Sequence, residues 1–157
     1  MTGGHAKISV EAPDQPEVLP LIRALDAFHS ELYPAESNHF LDVEAMMQPN
    51  VTFVVVRLEG MAVGCGALVR DPGGFAEIKR MYLAPAARGR GLGRHLLQFL
   101  LSCADDEGLT PVRLETGIRN GEALSLYRSL GFVERGPFGA YDADPNSIFM
   151  ERRVLLR

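Results

Sequence analysis

The sequence predicts a mixed α/β fold of the α+β kind: one sheet of about six or seven strands with about four helices. Three observations carry this. Runs rich in β-branched and aromatic residues recur along the 157 residues. Four stretches between them place apolar residues at helical spacing. Over residues 75–116 a strand-like, a helix-like and a strand-like run follow one another, which calls for a parallel crossover. A chain of this length favours one domain, 1–157, with a buried core.

Residues 7–12 alternate Ile8 and Val10 with polar neighbours and read as a first strand. Pro13 and Pro16 end it. Residues 17–32 place Leu21, Leu25, Phe28 and Leu32 on one helical face, with Pro20 early enough for the first turn. Residues 34–38 read as a loop, and a short helix over 41–48 stops before Pro49. Residues 51–58 and 61–69 form a hairpin across the Glu59-Gly60 turn. Gly64 and Gly66 interrupt its second strand, which predicts a bulge or a close approach by another group. Asp71-Pro72-Gly73-Gly74 is a turn before a strand over 75–83.

Leu92, Leu96, Leu97, Leu100, Leu101 and Ala104 line one face of the next helix, which Gly108 ends. A strand over 112–116 follows. A second helix over 121–130 has Asn120 at its N-cap and Gly131 as its stop. Phe132-Val133 starts another strand, residues 138–147 form a polar loop, and 148–154 close the sheet. No internal repeat or linker appears.

The net charge of −4 gives no basic field for nucleic acid or an anionic membrane. No apolar run reaches the length of a membrane span, and residues 1–7 lack the apolar core of a signal peptide. Cys65 and Cys103 form neither a disulfide framework nor metal-ligand spacing, which points to a reducing, cytoplasmic setting. The four histidines are scattered, so no metal site is expected.

The arginines are locally clustered instead. Arg88-Gly89-Arg90-Gly91-Leu92-Gly93-Arg94 lies between a strand and a helix. Glycines leave the backbone bare, and a helix N-terminus presents unpaired N–H groups with a positive dipole end, so this stretch is suited to an anion. The Gly-Lys-Ser/Thr ending of a nucleoside-triphosphate loop is missing, and the even glycine spacing does not fit a dinucleotide fingerprint. An ordinary flexible turn is the competing reading.

Arg88-x-x-Gly91-x-Gly93 resembles the Arg/Gln-x-x-Gly-x-Gly/Ala motif of the GNAT superfamily of N-acetyltransferases. Asn120-x-x-Ala123-x-x-Leu126-Tyr127-x-x-x-Gly131-Phe132 is similar to that family's second signature. Gly64-Cys65-Gly66-Ala67-Leu68, Leu114-Glu115-Thr116-Gly117 and Asp144-Pro145-Asn146-Ser147-Ile148-Phe149-Met150 resemble a bacterial subfamily labelled indole-acetate acetyltransferase-like. The resemblance covers residues 50–155 well and the first fifty more loosely.

The resemblance implies a mostly antiparallel sheet with a central parallel pair, acetyl-coenzyme A as acyl donor, no metal, and an amine of a small molecule or peptide as acceptor. It allows a homodimer. Main-chain amides of residues 89–94, including Leu92, would cradle the pyrophosphate, with Arg88, Arg90 and Arg94 at the rim. Met81, Tyr82 and Leu83 resemble the family's strand that pairs with the pantetheine amides, and a strand distortion near Tyr82 or Leu83 would supply the oxyanion donor. Asn120 and Ala123 fall at cofactor-binding positions, with helix capping as the other role for Asn120.

Tyr127 matches the tyrosine beside the coenzyme A sulfur, where a phenol can donate to the leaving thiolate. Packing between helix and sheet is its alternative. Glu77 is the candidate general base. Phe75-Ala76-Glu77-Ile78 stands eleven residues ahead of the turn, as Phe-Ala-Glu-Ile does in the histone acetyltransferase branch. Pairing with Lys79 or Arg113 is the other reading of Glu77. On the acceptor side stand His29, Glu31, Tyr33 and His39 near the first helix. Tyr141, Asp142, Asp144 and Asn146 lie in the last loop, whose acidity would suit a cationic amine. A non-catalytic acyl-coenzyme A-binding module or sensor is the alternative function.

Overall fold

The computed structural model describes residues 5–34 and 41–153. Its elements are β1 Ala6–Val10, α1 Leu19–Leu32, α2 Val43–Met46, β2 Val51–Leu58, β3 Met61–Arg70, β4 Ala76–Leu83, α3 Leu92–Asp106, β5 Val112–Gly117, α4 Gly121–Ser129, β6 Val133–Arg135 and β7 Ser147–Arg152. The seven strands form one sheet in the order β1-β2-β3-β4-β5-β7-β6. Only β4 and β5 run parallel; the other neighbours are antiparallel. The predicted fold class holds, including its mostly antiparallel sheet and central parallel pair.

Two layers of helix cover the sheet because its strands alternate side chains between two faces. Val54, Val56, Leu68, Ile78 and Leu114 meet α3 and α4 through Leu96, Leu97, Leu100, Leu124 and Tyr127. Phe53, Val55, Cys65 and Ala67 point the other way, against Val18, Ile22 and Met46 beneath α1 and α2. Each buried leucine of α3 contributes about 1.5–3 kcal/mol of apolar burial, so this helix is anchored along its length.

Most boundaries fall within two residues of the sequence reading. The second helix is shorter than expected, a single turn in which the Asp42 carboxylate accepts the Ala45 N–H at 2.8 Å. Residues 35–40, most of the first predicted loop and His39 among them, lie outside the described residues, as does Val154 of the closing strand. The loop over 138–147 is polar in sequence but tied down by Phe138, which packs edge-on against Phe75 and Phe149 with Tyr141 beside them.

The feature that positions the site is a bulge in β4. Cys65 pairs with Tyr82 and Ala67 with Lys79, so the single Gly66 on β3 faces two residues, Arg80 and Met81. Arg80 takes a left-handed φ of 61°. Ile78 and Met81 both reach the α3 side, leaving Lys79 and Arg80 between them instead of one residue. The distortion expected near Tyr82 or Leu83 lies just before that pair, at Arg80–Met81, because that is where β4 carries the extra residue. Gly64 answers the predicted close approach. A Cβ there would come within 2.6 Å of the Leu83 side chain and 2.8 Å of the Tyr82 carbonyl.

Candidate active site

The parallel ladder between β4 and β5 is short. Ala76, Glu77 and Ile78 pair with Val112, Arg113 and Leu114, and no rung follows. From Lys79 and Glu115 onward the two strands diverge, and a cavity of about 380 Å³ opens between them. Unpaired main-chain groups line such a split, ready to bond an extended ligand.

One mouth of the split faces α3 and α4. Met81, Leu83 and Arg88 line it, together with Asn120, Gly121, Glu122, Ala123 and Tyr127, while Tyr82, also a lining residue, packs its side chain on the α1–α2 face. Gly89 and Gly91 have φ values of 80° and 77°, and Gly91 is the N-cap of α3. A Cβ at either position would project into open space, so backbone conformation and room for a ligand, rather than packing, make these residues glycine. The first hydrogen bond of α3 runs from His95 N–H to the Gly91 carbonyl. The N–H groups of residues 89–94 before it have no protein acceptor among the described residues. This bare run fits a pyrophosphate. Arg88 donates from Nε to the Leu83 carbonyl at 2.9 Å and lies over the Tyr82 ring, tying the turn to β4. Arg94 bonds the Ser129 hydroxyl at 2.8 Å, and Arg90 is exposed. Residues 89–94 stand outside the cavity lining, at its rim.

The packing reading of Tyr127 holds. Its ring packs edge-on against Phe132, and the residue also lines the cavity. Burial pushes its phenol up to about 12, so the hydroxyl stays protonated at neutral pH. Asn120 occupies the N-cap position of α4, but its side chain makes no capping bond, which leaves the amide available to the cavity.

The opposite mouth faces α1. Leu25, Phe28, His29, Tyr33, Lys79, Arg80, Glu115, Arg119, Asn146 and Ser147 are among its lining residues. Burial and the nearby Arg80 guanidinium hold His29 below its usual pKa, which favours neutral imidazole. Tyr33 is largely structural. Its hydroxyl accepts the Arg119 N–H at 2.9 Å, and a Cβ on Gly117 would fall 1.9 Å from that oxygen. Arg80 reaches Asp26 of α1 at 2.7 Å. Ser147 Oγ donates to Glu115 Oε2 at 2.6 Å.

Glu77 stands one register step behind this opening and does not line it. The Tyr141 hydroxyl donates to Glu77 Oε2 at 2.5 Å and accepts from Lys79 Nζ at 2.5 Å, while Lys79 and Glu77 are 3.5 Å apart. Burial raises the Glu77 pKa above the ordinary carboxylate value, against the pull of Lys79 and the Tyr141 hydroxyl. Arg113, the other partner considered for Glu77, pairs with Glu151 instead at 2.8 Å. Tyr141 is thus joined to Glu77 and Lys79, outside the lining.

The acidity of the last loop does not face the cavity. Asp142 is exposed and Asp144 accepts the Asn146 N–H at 2.8 Å; only Asn146 and Ser147 of that loop line the opening. Sequence reading overlooked Lys79, Arg80, Glu115 and Arg119 as site residues. A signal for the first two was present: two consecutive charges in Ile78-Lys79-Arg80-Met81 break strand alternation, as a bulge does. For Glu115 and Arg119 no local pattern exists. Among the described residues, no group of three or more His, Cys, Asp or Glu side chains could hold a metal ion, and no helix is long and apolar enough to cross a membrane.

Comparison with known proteins places this geometry. Residues 19–132 match the model of the acetyltransferase (GNAT) family. The chain is 47% identical over 149 residues to a protein of Azospirillum brasilense named IAA acetyltransferase, covering 94% of this chain and 97% of that one. A Klebsiella pneumoniae crystal structure superposes with a TM-score of 0.82 at 37% identity, covering 96% and 98% of the two chains. The PaiA N-acetyltransferase of Thermoplasma acidophilum, solved with coenzyme A, shares the fold with a TM-score of 0.73 at 18% identity, covering 96% and 99%. The chain belongs to the GNAT family and is an acetyl-coenzyme A-dependent acyltransferase.

Proposed function

We propose that this GNAT-family enzyme moves an acetyl group from acetyl-coenzyme A to a primary amine of a small molecule or peptide, by direct attack while both substrates are bound. The observation that carries the reading is the β4–β5 split, open towards α3 and α4 on one side and α1 on the other, with Tyr127 lining it. The donor enters from the α3 side. Main-chain N–H groups of residues 89–94 hold its pyrophosphate, Arg88, Arg90 and Arg94 add charge at the rim, and Met81, Tyr82, Leu83, Asn120 and Ala123 line its pantetheine arm. The amine enters from the α1 side.

The reaction needs a neutral amine, since an ammonium has no lone pair. Glu77 is the base in this reading. Its raised pKa supports the role, and the proton reaches it through water or the Tyr141 hydroxyl. The amine nitrogen bonds the thioester carbonyl carbon, and main-chain N–H groups of β4 beyond the bulge stabilise the developing oxyanion. The carbon–sulfur bond then breaks and the electron pair leaves on sulfur. Tyr127 donates a hydrogen bond to that thiolate. Burial raises its pKa, already above that of an ordinary thiol, so it acts by donating a hydrogen bond and not by complete proton transfer. Direct attack is supported by the cysteines. Neither lines the cavity, and Cys65 is buried under α1 and α2 with its thiol pushed up to about 12.

Calorimetry with acetyl-coenzyme A, followed by a thiol-release assay over a panel of amines, tests the proposal. Binding with turnover of at least one amine is expected. Binding without turnover would favour a non-catalytic module, and absence of binding would sink the donor assignment. Trapping an acetylated cysteine would overturn direct attack.

A further inference from the structure

We propose that the acceptor carries a carboxylate beside its amine, as a free amino acid does, and that Glu115 and Arg119 read the two charges. The inference rests on the acetyl-transfer reading above. Glu115 is the first β5 residue beyond the last rung with β4. Leu114 packs into the α3–α4 core, so strand alternation turns Glu115 to the α1 side of the cavity, where it meets Ser147.

Arg119 lies four residues further along the same run and lines the same cavity. Its backbone is pinned by the Tyr33 hydroxyl at 2.9 Å, while its guanidinium has no partner among the described residues. That side chain offers a planar fork of donors suited to a carboxylate. Lys79 adds to the anionic pole. Its ammonium has three donors, of which one makes a short bond to Tyr141 and one a long contact with Glu77.

Charge matching favours an amino acid over a polyamine. Away from the α3–α4 mouth, Lys79 and Arg80 line the cavity but lie against Glu77 and Asp26, which leaves Arg119 and Glu115 as the lining pair of opposite charge among the described residues. An amino acid brings one charge of each sign to that pair, whereas a polyamine brings several ammonium groups to one lining carboxylate.

The test measures thiol release with L-amino acids, each beside its carboxamide and its decarboxylated amine, and with spermidine. At least one amino acid should exceed its carboxamide about ten-fold in kcat/KM, as expected for a charge-assisted hydrogen bond. Arg119→Ala should bring that acid-to-carboxamide ratio towards one, and Glu115→Gln should lower turnover of both members. Preference for carboxamides, decarboxylated amines or spermidine overturns the inference and leaves the transferase reading intact. A rise in the KM of acetyl-coenzyme A in Arg119→Ala, with the ratio unchanged, also overturns it by placing Arg119 on the donor. If acetyl-coenzyme A binds and no panel member turns over while another amine does, the inference is overturned and the transferase reading stands.

Discussion

The two mouths of the β4–β5 split are built by different means. The α3 side offers mainly main-chain groups: glycines with positive φ, two helix N-termini and a strand released from its neighbour. The α1 side offers side chains, drawn from α1, β4, β5, the β5–α4 loop and the start of β7. A backbone cradle needs consecutive residues of special conformation and therefore leaves a compact motif. A charged pocket needs only that distant side chains converge, and many residue choices meet that demand. Donor and acceptor binding should respond to substitution in correspondingly different ways.

The strongest way to break the comparison is Gly91→Val. The left-handed φ of 77° should cost about 1–2 kcal/mol with a side chain present, and the new group would occupy the open space of the cradle. Loss of acetyl-coenzyme A binding by calorimetry is expected in a protein that still folds. Gly93→Ala is its counterpart. A Cβ there meets Leu126 and Leu83 at an ordinary 3.6 Å inside α3, so the variant should gain about 0.5–1 kcal/mol in denaturant unfolding and keep its donor. Retained binding in Gly91→Val would mean that the turn does not hold the pyrophosphate.

Tyr127→Phe should lower kcat about 100-fold with little change in the KM of acetyl-coenzyme A, because the hydroxyl acts in the transition state while the ring continues to pack. An unchanged kcat would remove its role beside the leaving thiolate. Glu77→Gln should have a smaller effect, concentrated at low pH. Since burial raises the Glu77 pKa, wild-type kcat/KM should fall as pH drops through that raised value. The variant should lose this acidic limb, and an unaltered profile would assign the base elsewhere.

The smallest effect separates the cleft from the fold as a whole. Far along the sheet, Arg57 holds the Glu11 carboxyl at about 2, below the ordinary 4.5. A depressed folded-state pKa contributes stability that is present above about 4.5 and lost as pH falls to about 2. Glu11→Gln should flatten the stability profile in that window without moving the pH dependence of turnover. A shift in turnover would mean that acid loss of activity reports unfolding and not Glu77.

Much of the architecture was legible before any coordinates. The hairpin across Glu59-Gly60, the α3 leucine face and the α4 boundaries follow from periodicity and turn chemistry, which are local. The two motifs that carry the family resemblance were legible for the same reason, since Arg88 to Arg94 and Asn120 to Tyr127 are short runs. The position of the bulge was not, because register depends on two strands and only their pairing shows that Gly66 faces both Arg80 and Met81. Nor was the last loop. Its acidic residues are conspicuous in sequence, yet its neutral Asn146 and Ser147 reach the cavity.

The sequence alone determined the sheet-and-helix class, the glycine turn at the start of α3 and the run of α4 that carries Tyr127, because each depends on neighbours within about a dozen residues. Tertiary structure decided where β4 and β5 part, that Tyr127 packs on Phe132 and also lines the cavity, and which charges meet on the α1 side. Those outcomes turn on pairing and burial among residues as far apart as His29 and Ser147. Local chemistry cannot specify such distances; only the packed sheet does.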